Sequence, residues 1–150
     1  MGNYLTYDPL GTGVNELLAY ASSDVISSIL SDIPVAADKV TRVNEEIDAS
    51  ESEVDSYLGA KYSVPLTAPI PDLIRDITAA LTAERLYQRS SGVPDYIAER
   101  AAVKRRILRD LSSGVSVLPG AAPIPATSTS GYLLTSSEGI IITRDNLTFE

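Results

Sequence analysis

The run VAADKVTRVNEEIDASESEVDSYLGA, residues 35–60, decides the fold class. Its apolar positions Ala36, Val40, Val43, Ile47, Val54 and Tyr57/Leu58 recur at helical spacing across about seven turns, which predicts one long amphipathic helix. Ser50 falls inside the apolar stripe, where a small side chain lets a second helix come close. Glu45, Glu46, Asp48, Glu53 and Asp55 project from the outer face. The chain has neither His nor Cys to join these carboxylates, so they read as a solvated acidic surface rather than a metal site.

Upstream, Val25, Ile26, Ile29 and Leu30 share one face of a short helix that ends at Pro34, and Ser22 or Ser23 offers the N-cap oxygen. Residues 1–20 contain Asp8-Pro9, Gly11 and Gly13, which punctuate rather than continue structure, followed by the apolar group Val14, Leu17 and Leu18; they predict an extended N-terminal arm. Downstream, Pro65, Pro69 and Pro71 each deny the backbone a donor, so residues 64–71 are expected to be an extended connector. Pro71 suits the first turn of the next helix. That helix, from Pro71 to about Ser90, is apolar around most of its circumference: Leu73, Ile74, Ile77, Ala80, Leu81 and Tyr87 on one side, Ala79, Ala83 and Leu86 on another. A helix of this kind is buried among others. Pro94-Asp95 opens a last helix running to Gly114, an expected left-handed C-cap.

The last helix contains a conflict. Tyr96, Ile97, Ala101, Ile107, Leu108 and Leu111 form a stripe, yet Arg100 and Lys104 project from its middle. Charges there need partners or an exit to water. Glu84 on the preceding helix is the expected partner of Arg100 or Lys104, whereas Arg105, Arg106 and Arg109 lie off the stripe as an exposed basic surface.

Residues 115–130, rich in Pro, Ala, Ser, Thr and Gly, read as a linker. Beyond it, Tyr132-Leu133-Leu134-Thr135 and Ile140-Ile141-Ile142-Thr143 flank the turn sequence Ser136-Ser137-Glu138-Gly139 and predict a hairpin. An isolated two-stranded hairpin is marginal in water, so these side chains ask for a surface, either this domain's helices or another subunit's sheet edge. The expected architecture is mostly α: a small bundle of about four helices over residues 21–114, an N-terminal arm over 1–20, a linker over 115–130 and a C-terminal β-hairpin arm over 131–150.

Composition removes most catalytic schemes. Without Cys there are no thiolate nucleophiles or redox pairs, and without His the commonest general base and zinc ligand are gone. Gly11-Thr12-Gly13 lacks the later glycine and preceding strand of a dinucleotide loop. A carboxylate-based hydrolase would need a cleft that a bare bundle seldom supplies. The expectation is a protein that is not an enzyme and takes no cofactor. The net charge of -8 argues against wrapping nucleic acid. That charge is unevenly spread: residues 1–60 hold eleven acids and two bases, and residues 61–118 six acids and nine bases. No apolar run approaches a membrane span and no signal peptide is recognisable, so a cytosolic protein, or one in a particle assembled there, is expected.

The run from Glu53 to Leu66, EVDSYLGAKYSVPL, resembles the end of the long helix and the proline turn of small head-tail connector (adaptor) proteins of tailed bacteriophages, especially the Mu-like group. The likeness continues through Pro71, Leu73, Ile74, Arg75, Ile77, Arg85, Leu86 and Tyr87, then Arg100, Ile107, Leu108, Arg109, Asp110, Leu111 and Gly114. Ala80 and Lys104 depart from the group's pattern. The resemblance implies a structural virion protein at the head-tail interface, assembled in the host cytoplasm as a ring of about twelve copies beneath the portal protein. Such a ring extends the DNA channel without sequence-specific binding, docks stopper or tail-completion proteins, and has no membrane partner. On this reading Glu45, Glu46, Asp48, Arg105, Arg106, Arg109, Tyr132, Leu133, Leu134, Ile140, Ile141, Ile142 and Arg144 are the expected subunit or partner contacts, the acidic long helix of one subunit facing the arginines of the next. The alternative is an acidic helical regulator or inhibitor that binds protein as a monomer or dimer.

Overall fold

The computed structural model describes residues 4–8, 16–90, 92–121 and 123–124. Four helices account for most of them: α1 Ser23–Ile29, α2 Ala36–Leu58, α3 Asp72–Arg89 and α4 Asp95–Ser113, preceded by a 3-10 turn at Glu16–Ala19. The Ser22 hydroxyl accepts from the Val25 amide and starts α1. Gly114 ends α4 at φ +80°, a conformation that costs an L side chain about 1–2 kcal/mol and glycine almost nothing. Among the described residues there is no β-strand, only a single antiparallel bridge between Tyr62 and Pro123. The expected hairpin over 131–150 lies outside the described residues.

Helix α3 is the centre of the bundle and packs on α2, α4, α1 and the 3-10 turn. Its small side chains explain how. Thr78, Ala79, Ala80, Thr82 and Ala83 are all buried, so neighbouring backbones approach closely on several sides. The two threonine hydroxyls donate back to the carbonyls of Ile74 and Thr78, which satisfies them without a partner helix. Two apolar clusters share α3. Ile74, Ile77 and Leu81 join Val54, Leu58, Leu108 and Leu111 in one; Ala79, Ala83 and Leu86 join Val43, Ile47, Ile26 and Leu30 in the other.

The structure departs from expectation at both ends of the bundle. Tyr4, Leu5 and Tyr7 are buried, so the described part of the N-terminal arm is docked on the core rather than free. The reason is a buried acceptor: Glu51 Oε1 takes the Tyr4 amide at 2.7 Å and the Leu5 amide at 3.1 Å. The Tyr4 hydroxyl donates to Asp55 and accepts from the Leu66 amide at 2.8 Å, tying the N-terminal residues to α2 and the proline connector. The start of the expected linker also returns to the core. Leu118 is buried, its amide donates to the Tyr62 hydroxyl at 2.8 Å, and the Ile124 amide donates to the Lys61 carbonyl at 2.8 Å.

Candidate functional site

Among the described residues no group of acidic side chains is arranged to hold a metal ion, and no described helix is long and apolar enough to cross a membrane. The concentrations of polar chemistry are two ion-pair clusters on α3 and α4, and they redistribute the charges that the sequence placed on surfaces.

The first cluster ties three helices. Arg105 on α4 donates through Nε to Glu53 Oε1 on α2 at 2.7 Å and through Nη2 to Glu84 Oε2 on α3 at 2.6 Å. Arg85 Nη2 reaches the other Glu53 oxygen at 3.1 Å. Glu84 therefore does pair across the helices, but with Arg105 and not with Arg100 or Lys104. The geometry explains the difference: a guanidinium has donors in a planar fork, so one arginine bridges carboxylates on two neighbouring helices, which a lysine cannot do in fixed geometry. Burial pushes the Glu53 carboxyl up, but the hydrogen bonds and charges of Arg105 and Arg85 outweigh it and hold it below the usual range. The bond to Glu84, with that to Glu53, holds the Arg105 guanidinium charged against burial.

The second cluster takes the two charges that interrupt the α4 stripe. Lys104 Nζ pairs with Asp76 on α3, whose other oxygen accepts the Tyr20 hydroxyl at 2.6 Å. Arg100 lies with its guanidinium carbon 5.5 Å from the centroid of the Tyr20 ring, a cation-π contact on an otherwise exposed side chain. Tyr96, expected on the buried stripe, is 54% exposed in the first turn of α4, and its hydrogen bond raises the Tyr87 phenol to about 12.

Asp76 supplies a pH signature. Burial raises its carboxyl, yet the hydrogen bonds from Lys104 and Tyr20 and the nearby positive charges win and hold it low. A carboxyl depressed in the folded state stabilises the fold above its unfolded value, and loses that contribution as pH falls through the folded one. Asp76 and Glu53 together are expected to lower the urea unfolding midpoint as pH drops below about 4. Asp76→Asn should flatten that acid limb; an unchanged pH profile would show that the pairing contributes nothing.

The expected contact residues separate accordingly. Arg106 and Arg109 are exposed on the outer side of α4, and none of the ion pairs among the described residues uses them. Arg105, expected beside them, points inward instead. On α2, Arg42 takes Glu45 at 2.7 Å and Glu46 at 2.9 Å, so two of the three expected acidic contacts are already partnered one turn away. Asp48 is half-buried on the same helix. Tyr132, Leu133, Leu134, Ile140, Ile141, Ile142 and Arg144 lie outside the described residues. Sequence reading missed Asp76, Tyr20 and the buried Glu51. Only Glu51 carried a visible signal, a carboxylate set between Ser50 and Val54 on the apolar side of the long helix.

The family model described as Bacteriophage Mu, Gp36 matches residues 13–134, well over half of the chain. No curated protein matches it.

Proposed function

The chain belongs to the Bacteriophage Mu, Gp36 family, and from that membership we propose that it is a structural head-tail connector that forms a ring below the portal. In this role it extends the DNA channel, docks a stopper or tail-completion protein on its far face, and acts without catalysis or a cofactor. The observation that carries the reading is the basic strip on α4 that no ion pair among the described residues uses. Arg106 and Arg109 face outward from a helix locked at three points to the rest of the bundle, in a chain whose first sixty residues are strongly acidic. A chain with a basic strip on one helix and an excess of acids elsewhere in its sequence suits the head-to-tail contact from which closed rings are built. On this reading DNA passes the ring without sequence-specific contacts, in keeping with a net charge of -8 on each copy.

The test reverses only the two outward arginines, since Arg105 is committed inside the subunit. Arg106→Glu with Arg109→Glu should keep the circular-dichroism melt of the parent while ring formation on purified portal, counted by negative-stain microscopy, falls at least about tenfold. Rings as numerous as those of the parent would refute the contact.

A further inference from the structure

Two large apolar side chains stand out to water from one face of α4. Tyr96 is 54% exposed and Val103 is 56% exposed; seven residues apart, they lie two turns from each other on the same side of the helix. Glu99 stands between them, and Arg106 follows on the same flank. Arg100, on the opposite flank, is already drawn to the Tyr20 ring. The result is an apolar ridge edged by one acid and one base. A groove that could receive it is present on the same chain. Ile26 on α1 and Ala36, Val40 and Val43 on α2 wall an open groove of about 340 Å³, with Lys39 at its rim. Val35, immediately before Ala36, is 51% exposed and extends the apolar surface.

Charge and spacing match the ridge to the groove. Seven residues separate Lys39 from Glu46 on α2, and seven separate Glu99 from Arg106 on α4, about 10.5 Å along each axis. The order of sign is reversed: base then acid on α2, acid then base on α4. Laid parallel, the two helices pair Lys39 with Glu99 and Glu46 with Arg106 at once, and the same alignment brings Val103 level with Val43 of the groove wall. Laid antiparallel, they would set like charges opposite each other. None of the ion pairs among the described residues uses Lys39, Glu99 or Arg106, and Arg42 takes only one oxygen of Glu46, at 2.9 Å. Ridge and groove are both open to water within one copy, so they meet only between copies.

We propose that the α4 ridge of one copy seats in the groove between α1 and α2 of a second copy, with α4 parallel to α2, Glu99 on Lys39 and Arg106 on Glu46. Ridge and groove share no residue, so the contact is heterologous and each added copy offers a fresh groove to the next. The proposal rests on the head-to-tail contact of the ring and gives that contact a register.

Sedimentation velocity of the full chain, without portal, tests the proposal at concentrations up to about 1 mM. The parent should form species larger than a dimer. Lys39→Glu and Glu99→Lys should each weaken association at least about tenfold, because each sets like charges face to face. The two changes together in one chain should restore it to within about threefold of the parent. Val103→Asn, at a solvent-facing position, should also weaken association about tenfold while keeping the circular-dichroism melt of the parent, because it takes an amide into an apolar groove. A parent that stays monomeric overturns the proposal, as do single variants that associate like the parent or a double variant as weak as either single. Association that stops at a dimer overturns the heterologous arrangement equally. If Lys39→Glu still forms rings on purified portal as the parent does, the connector reading stands and this contact falls.

Discussion

Arg105→Ala is expected to lower the stability of the fold by about 3 kcal/mol, the low end for breaking a buried pair because the arginine is partly solvated. Its guanidinium is the hydrogen-bond partner of Glu84, whose side chain is only 10% exposed, and it shares Glu53 with Arg85. Removing it leaves two carboxylates from different helices facing each other in a poorly hydrated gap with one arginine remaining. For a chain of this length the loss corresponds to a fall of about 10 °C in Tm. The control is one residue away: Arg106→Ala, on the solvent side of the same turn, should change stability by less than about 0.5 kcal/mol. Equal melting temperatures for the two variants would show that the three-helix bridge contributes no more than a surface charge.

Tyr4→Ala carries a larger expected loss, about 4 kcal/mol, in the range of deleting a buried aromatic side chain. The ring is 3% exposed and packs in the cluster with Val54, Leu58 and Ile77. Its hydroxyl also accepts the Leu66 amide, a buried donor that the substitution orphans. Tyr4→Phe separates the two contributions. It keeps the ring and leaves the Leu66 amide unsatisfied, which should cost about 1–2 kcal/mol in a urea titration. If Tyr4→Ala unfolds at the same urea concentration as the parent, residues 4–8 are not part of the cooperative unit and the docked N-terminal segment is misassigned.

The four helices were legible because each signal was local. Proline at 71 and 94, glycine at 114, and the spacing of Val43, Ile47, Val54 and Leu58 bound three of them to within a residue or two of where they lie, whereas α1 ends at Ile29, well short of the expected stop at Pro34. The N-terminal docking was not legible because it turns on Glu51, 47 residues from Tyr4, accepting two backbone amides that have no sequence signature. The same holds for the ion pairs. That Arg100 and Lys104 needed partners followed from periodicity, whereas Asp76 as the partner of Lys104 depends on the rotation of α3 against α4. Arg105 looked exposed because it lies off the apolar stripe. A third helix, α2, closes over that flank, and no property of α4 alone announces it.

The position of α3 between two apolar clusters bears on how the bundle comes apart. Neither half of the core can loosen without withdrawing side chains that the same helix inserts into the other half. Removing contacts from one cluster is therefore expected to weaken the other, so that the two halves melt together in one transition rather than two.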